Sequence, residues 1–552
     1  MWRILLVVVL IGLALASREV RGLEKDFGEA ADLLLLAEHG VTPNAEGLRL
    51  FLNPPKTSEE DIQLARLWAR QLGSEKFAER EAASQKLLAM ELDALEAVQH
   101  ASQSPDAETR ARARGILARL TRLQEKRQAT LPAVLRTIVR REIKGLAPYV
   151  LRAAPQATTW ASQECLRRAL WTTVQANDAD LLRKAIVEGP PVAQVAALLA
   201  LPAAVGENAR EDLLPLLGHD DPALRLAAAQ ALAPYAREES FRVLLAALES
   251  EELSVRTQAA RVMYALTGQA LGYAAYSSPE RRAAGVAEWR AWLADQGRQA
   301  VLRQPLASGP LPTGRYLACH FDPFSVSERD ESGRTWFRRQ SLVPEDEAYC
   351  GCTISPEGYR VLAGFGSVVA FRGNGAGEEV WRISLPEMPA TVDVTPERTY
   401  LIGLFDDQEV REVRPNGEIV RRVKLPGSPN DVRYLETGRW LVCLYSTKKI
   451  VEIDGTGEVV WSIDNVPPPE SARRLSNGNT LVCTALGKVI EYAPNGDVVW
   501  SYNKELPLAY DAVELANGNV LIGYRYGLRE IDRTGFIVRE ATTSTVRRIC
   551  AY

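Results

Sequence analysis

The chain has 552 residues, 46% of them hydrophobic and 25% charged, with 66 basic and 70 acidic side chains and a formal charge of −4. That mix excludes a disordered, collagenous or polytopic membrane protein and leaves room for several domains. The near-balanced charge supplies no field that would attract nucleic acid or an anionic membrane, and the excess of arginine (54 Arg, 12 Lys) spreads along the whole chain.

At the N-terminus, Arg3 precedes an apolar run from Ile4 to Ala16 that closes on Ala14-Leu15-Ala16. This small-x-small close predicts a secretory signal over residues 1–16, and the run is short for a permanent bilayer span. An uncleaved signal anchor is the competing reading and would be the chain's one contact with a membrane. Either reading places the bulk of the chain outside the cytoplasm, periplasmic or secreted. The seven cysteines (Cys165, Cys319, Cys350, Cys352, Cys443, Cys483, Cys550) are too few for a disulfide-built scaffold of this length.

From residue 24 to 300 apolar residues recur three and four apart, which predicts amphipathic helices. Leu213-Leu214-Pro215-Leu216-Leu217, Asp221-Pro222, Arg225 and Ala228-Ala229 recur as Leu244-Leu245-Ala246-Ala247-Leu248, Glu252, Arg256 and Ala259-Ala260. Earlier copies run from Ala94 through Ser104-Pro105-Asp106 to Arg110, and from Phe77 to Ala83. One helix pair per copy, neither able to bury its face alone, predicts a stacked solenoid. These residues resemble HEAT repeats over about Gly73 to Gly268, and the resemblance implies a surface for a protein partner. Trp289 and Trp292 are expected to seal the terminal helix onto the last repeat.

Residues 301–313 read as a linker. From 314 to 552 short β-branched and aromatic runs alternate with Asn-Gly, Thr-Gly and Pro-Glu-Gly turns at a period near forty residues. Gly314 to Cys319 matches a second strand without a first, while Thr545 to Cys550 matches a first strand without a second. The two ends complete each other and predict a six-bladed β-propeller closed by the C-terminal strand. The fold class is therefore an N-terminal α-α solenoid followed by an all-β propeller. Cys319, Cys443 and Cys483 align with Gly364, Gly403 and Gly523, a position where a small residue is expected between blades. Cys350 and Cys352, two apart on a first strand, are expected on one face.

Trp381, Trp461 and Trp500 follow the last turn of three blades, and Gly333-Arg334-Thr335-Trp336 approximates the pattern. The motif resembles the Trp-docking repeat of pyrroloquinoline-quinone-type propellers, where it implies indoles that hold blades together. Those proteins carry eight blades, adjacent cysteines and a calcium site, so pyrroloquinoline quinone and calcium are doubtful ligands here and no cofactor is expected. The stretch from Tyr510 to Asn519 resembles the repeat of arylsulfotransferase-type propellers. The resemblance implies a catalytic His before the strand, but Tyr510, Asn430 and Glu470 hold that position, and His320 is the propeller's single histidine.

Propeller ligands sit at a channel mouth lined by the first strands, whose aligned starts are Tyr349-Cys350, Pro389-Ala390, Asn430-Asp431, Glu470-Ser471, Tyr510-Asp511 and Ser544-Thr545. Asp431 and Asp511 are thus equivalent, and Arg433, Arg473 and Arg547 join the inward polar set. Such a ring would hold a small polar, anionic or carbohydrate-like ligand, or its charges would pair with one another. With no catalytic or metal-binding constellation in the sequence, the expected function is a non-enzymatic exported binding scaffold, its solenoid engaging a protein and its propeller mouth a polar ligand or a second partner. The alternative is a propeller transferase, hydrolase or lyase with Asp431 and Asp511 at the mouth, which a raised pKa at either carboxyl would favour.

Overall fold

A recurrent arginine and short capped turns explain the helical half of the computed structural model, which describes residues 29–552 apart from 54–57, 270, 272, 304–305, 307–310, 322–323, 332, 341–348, 365, 436, 505, 516 and 543. The signal expected over residues 1–16 lies outside the described residues. Helices run from Glu29–Glu38 to Pro279–Ala294. In each recognisable repeat the arginine of the second helix folds back onto the carbonyls that end the preceding turn. Arg110 donates to Ser104 O (2.6 Å) and Pro105 O (3.0 Å), and Arg256 to Ser250 O and Glu251 O (both 2.8 Å). Arg80 and Arg225 repeat the arrangement. The repeat motif is thus a capping device: one guanidinium satisfies carbonyls that no helical N–H can reach.

The helices do not share one continuous core. Residues 65–120 bury Ala65, Leu72, Leu87, Val98 and Leu120 together, separately from the main core around Leu131–Ile138, Leu166 and Ala196–Leu201. The 34-residue helix Ala107–Arg140 carries both, with an exposed middle at Thr121, Arg122, Gln124 and Glu125. A third core joins Leu226–Leu266 to the terminal helix, where Trp289 is buried and meets Trp292 edge-on at 5.6 Å, as expected of a seal.

Six four-stranded antiparallel sheets form the second half. Val546–Ala551 pairs with Arg315–Phe321, so the C-terminal strand is the innermost strand of blade 1 and the ring closes as expected. Small residues stand where blades meet. An added Cβ at Gly523 would lie 2.9 Å from Val546 of the next blade, and one at Gly403 would lie 2.7 Å from Thr391 Cγ2 of its own blade and 3.8 Å from Pro429 O of the next. Cys319, Cys443 and Cys483 share that register; in blade 2 it is held by Ala363, one residue before the Gly364 expected from the alignment. Trp461 donates to Pro494 O and Trp500 to Arg533 O, both at 2.9 Å, each reaching a turn of the next blade.

The solenoid packs on the face of the propeller that carries the turns between strands one and two and between strands three and four. Trp336 of blade 1 enters the main helical core, and its indole donates to Asp330 at 2.9 Å. Tyr276 reaches Glu491 of blade 5 at 2.7 Å, and Arg281 pairs with Asp497 at 3.5 Å. The expected linker is anchored as well: Pro312 O accepts from Arg136 (3.0 Å), whose guanidinium also forks onto the buried Asp32. The described loops between strands two and three, and the described residues that lead into the first strands, lie on the opposite face, which no described helix covers.

Candidate functional site at the propeller axis

Every first strand opens with a β-bulge, and the bulges build the axis. The register slips between Tyr349 and Gly351, Pro389 and Thr391, Pro429 and Asp431, Pro469 and Ser471, and Ala509 and Asp511. In the closing strand the slip falls opposite Cys319/His320, leaving Arg547 between Val546 and Arg548. Cys350, Ala390, Asn430, Glu470, Tyr510 and Arg547 therefore form an outer ring at the free face. Gly351, Thr391, Asp431, Ser471, Asp511 and Arg548 form the buried ring beneath it.

The buried ring is an ion-pair network. Arg473 donates to Asp511 Oδ2 at 2.9 Å and also contacts Asp431 Oδ2, so one guanidinium spans both carboxylates. Asp431 is held further by Arg433 (3.0 Å) and by the Thr391 hydroxyl (3.0 Å). Asp511 accepts from the backbone N–H of Ile549 (2.8 Å) and of its neighbour Ala512 (2.9 Å). Arg548 donates to Asn430 O (2.6 Å), Glu470 O (3.2 Å) and Tyr510 O (3.3 Å), tying three blades to the closing strand. One layer below, Thr353 donates to Asp393 at 3.1 Å, and Arg433 lies 3.8 Å from the same carboxylate. Asp431 and Asp511 are 1% and 0% exposed, so both carboxylates face the network and not solvent.

Burial pushes the Asp431 carboxyl up, but Arg433, Arg473 and Arg548 outweigh it and hold the group well below the usual carboxylate range. The arrangement stabilises the ionised form of Asp431.

The sequence-derived candidates distribute as follows. Asp431, Asp511, Arg433 and Arg473 come together in one network. Asn430 and Glu470 meet in the outer ring, where the Asn amide donates to the Glu carboxylate at 2.7 Å. Tyr510 is also in that ring, with the Arg547 guanidinium 5.3 Å from its ring centroid. Arg547 does not join the inward set: the bulge turns it to the mouth and puts Arg548 in its place. Arg548, Thr391 and Asp393 were missed, and counting the bulge in the alignment would have found Arg548. The bulge likewise separates Cys350 from Cys352, which do not share a face. Cys350 Sγ donates to Pro389 O (3.0 Å) toward blade 3, and Cys352 Sγ to Leu317 O (3.7 Å) toward blade 1. His320 is 4% exposed, paired with Ser327 (2.9 Å) and Ser544 (3.3 Å), and lowered to about 4 by burial and by Arg329 and Arg338. Among the described residues no three His, Cys, Asp or Glu side chains are grouped to hold a metal ion.

The HEAT-repeat family matches residues 179–265. No curated protein matches the chain. Among solved structures, a protein of unknown function from Bacteroides caccae is 17% identical, covering 43% of this chain and 97% of its own (TM-score 0.37). A streptogramin B lyase is 15% identical over 43% of this chain and 86% of its own (TM-score 0.33). A virginiamycin B lyase from Staphylococcus aureus is 13% identical over 42% and 84% (TM-score 0.32). The architecture itself rests on the strand pairing described above: HEAT repeats in the helical half and a six-bladed propeller closed by its last strand.

Proposed function

We propose that the chain is an exported binding scaffold whose axial charges are structural, the solenoid engaging a protein partner and the propeller offering its free face to a second one. The observation that carries this reading is Arg473 spanning Asp431 and Asp511: the two carboxylates best placed for acid–base work neutralise a guanidinium instead. Repeat folds of both kinds expose broad surfaces for macromolecules, which supports the same conclusion. Export rests on the apolar run and Ala14-Leu15-Ala16 near the N-terminus.

The test is a thermal-shift screen of the protein from Ser17 onward against sugars, aryl sulfates, pyrroloquinoline quinone and calcium, run beside an Asp431→Ala/Asp511→Ala variant. A ligand at about a hundred times its Kd would stabilise the fold by roughly 2.7 kcal/mol. The scaffold reading expects no shift that depends on the two aspartates. A shift present in the parent and lost in the variant would overturn it in favour of an enzyme working at the mouth.

A further inference from the structure

Many arginines of this protein are paired with carboxylates, as at Arg136–Asp32, Arg360–Glu328, Arg411–Glu387 and Arg533–Glu491, and others with backbone carbonyls. Arg525 and Arg547, on the face away from the solenoid, have their guanidiniums against aromatic rings instead. Arg547 lies between aromatic rings, 5.5 Å from the Phe321 centroid and 5.3 Å from that of Tyr510, and Arg525 lies 6.0 Å from the ring of Tyr526. Among the described residues neither guanidinium has a carboxylate partner. Both belong to one patch: Arg525 N–H donates to Leu508 O (3.1 Å), Thr545 Oγ1 to Arg525 O (2.9 Å), and Phe321 N–H to Thr545 O (2.8 Å). This places the group at the seam where the C-terminal strand joins blade 6 to blade 1.

The seam is also apolar and held outward. Phe321 is 38% exposed, Leu508 41% and Tyr526 52%. Leu508 has φ +52°, a conformation that costs a side-chain-bearing residue energy and here presents an aliphatic group to solvent. Exposed Tyr and Arg beside aliphatic groups is the composition of an interface centre. Bare leucine beside the rings favours a protein over a hydrated sugar, which gains little from an aliphatic surface. Two guanidiniums with no carboxylate partner among the described residues set the sign of the partner.

We propose that the seam between blades 6 and 1 docks an acidic segment of a partner protein, its carboxylates taken by Arg525 and Arg547 and its apolar side chains packed on Phe321, Leu508 and Tyr526. The proposal rests on the scaffold reading and supplies the chemistry of one partner.

The experiment is display of random peptides of about twelve residues, a length sufficient for an extended or helical recognition segment, on the protein from Ser17 onward. Enriched sequences are then synthesised and titrated by fluorescence anisotropy. Enrichment of Asp or Glu next to aliphatic or aromatic residues is expected, with binding that weakens as salt rises and falls roughly tenfold or more in Arg525→Gln/Tyr526→Ala. Both changed side chains are exposed and outside the axial network, so this variant folds; Arg547→Gln is the second probe. No enrichment, enrichment without acidic residues, or equal affinity for the variant overturns the proposal. So does polygalacturonate binding with the same arginine dependence in place of any peptide. Peptides that bind the variant equally would remove this site and leave the scaffold reading intact, whereas an aspartate-dependent shift in the thermal screen removes the scaffold reading itself.

Discussion

The hydroxyl of Tyr276, beyond the last repeat helix, donates to Glu491 of blade 5 at 2.7 Å, and that carboxylate is 0% exposed. Glu491 also receives Arg533 (2.9 Å), Asn479 (2.7 Å) and Asn477 (3.2 Å), so one buried acid joins the two domains. Tyr276→Phe should cost about 1 kcal/mol, one hydrogen bond to a group that keeps its other partners. Glu491→Ala should cost about 3 kcal/mol or more because Arg533 loses half of its compensation in a buried site. Urea denaturation followed by circular dichroism measures both, and equal losses in the two variants would contradict this account.

Asp431 should behave as a structural counter-ion. Asp431→Asn leaves Arg433 and Arg473 under-compensated and should lower stability by about 3 kcal/mol at neutral pH. The folded carboxyl is held below its ordinary value of 3.8. Its contribution is therefore full above that value and fades as the pH falls through the lowered one. The gap between parent and variant should be flat from pH 8 to about 5 and narrow only in stronger acid. A gap that closes near neutrality would count against the ion pairs.

His320 predicts an acid sensitivity of the same sign in a higher pH window. Its pKa falls from 6.5 to about 4 on folding, so between those values the unfolded chain binds a proton that the native chain refuses. Stability is full above pH 6.5 and should drop by about 3 kcal/mol as the pH falls toward 4. In His320→Gln that slope should be absent, which thermal melts at half-unit pH intervals would reveal.

Arg256 donates to Ser250 O, Glu251 O and Ala275 O and is 7% exposed, so it holds a repeat turn to the terminal segment. Arg256→Ala should cost about 2–3 kcal/mol, the range for charged hydrogen bonds left unmade. Arg242→Ala, on an exposed i,i+4 pair with Glu238, should cost less than about 0.5 kcal/mol and serves as the control. A comparable loss in both would remove the capping role.

Periodicity carried the architecture. The Arg225/Arg256 copies, the turns near Gly438, Gly478 and Gly518 and the orphan strands at the two ends of the propeller were all legible because repeats rewrite the same local physics many times. The axis was half legible: Asp431 and Asp511 fell in register, but a bulge adds one residue without any marker in composition, which moved Arg547 to the mouth and hid Arg548. The pairing of Asp32 with Arg136 and the burial of Trp336 among helices were not legible. Each joins segments about a hundred or more residues apart that carry no shared pattern.

The closing strand fixes the order in which this molecule can finish. Tyr552 reaches Glu328 across 224 residues, and blade 1 has no inner strand until residues 546–551 exist. Through synthesis of blades 2 to 6 the inner edge of Arg315–Phe321 stands unpaired, a template for strands of other chains. The helical half takes up the outer strand of that blade, through Trp336, and leaves this inner edge to the closing strand alone.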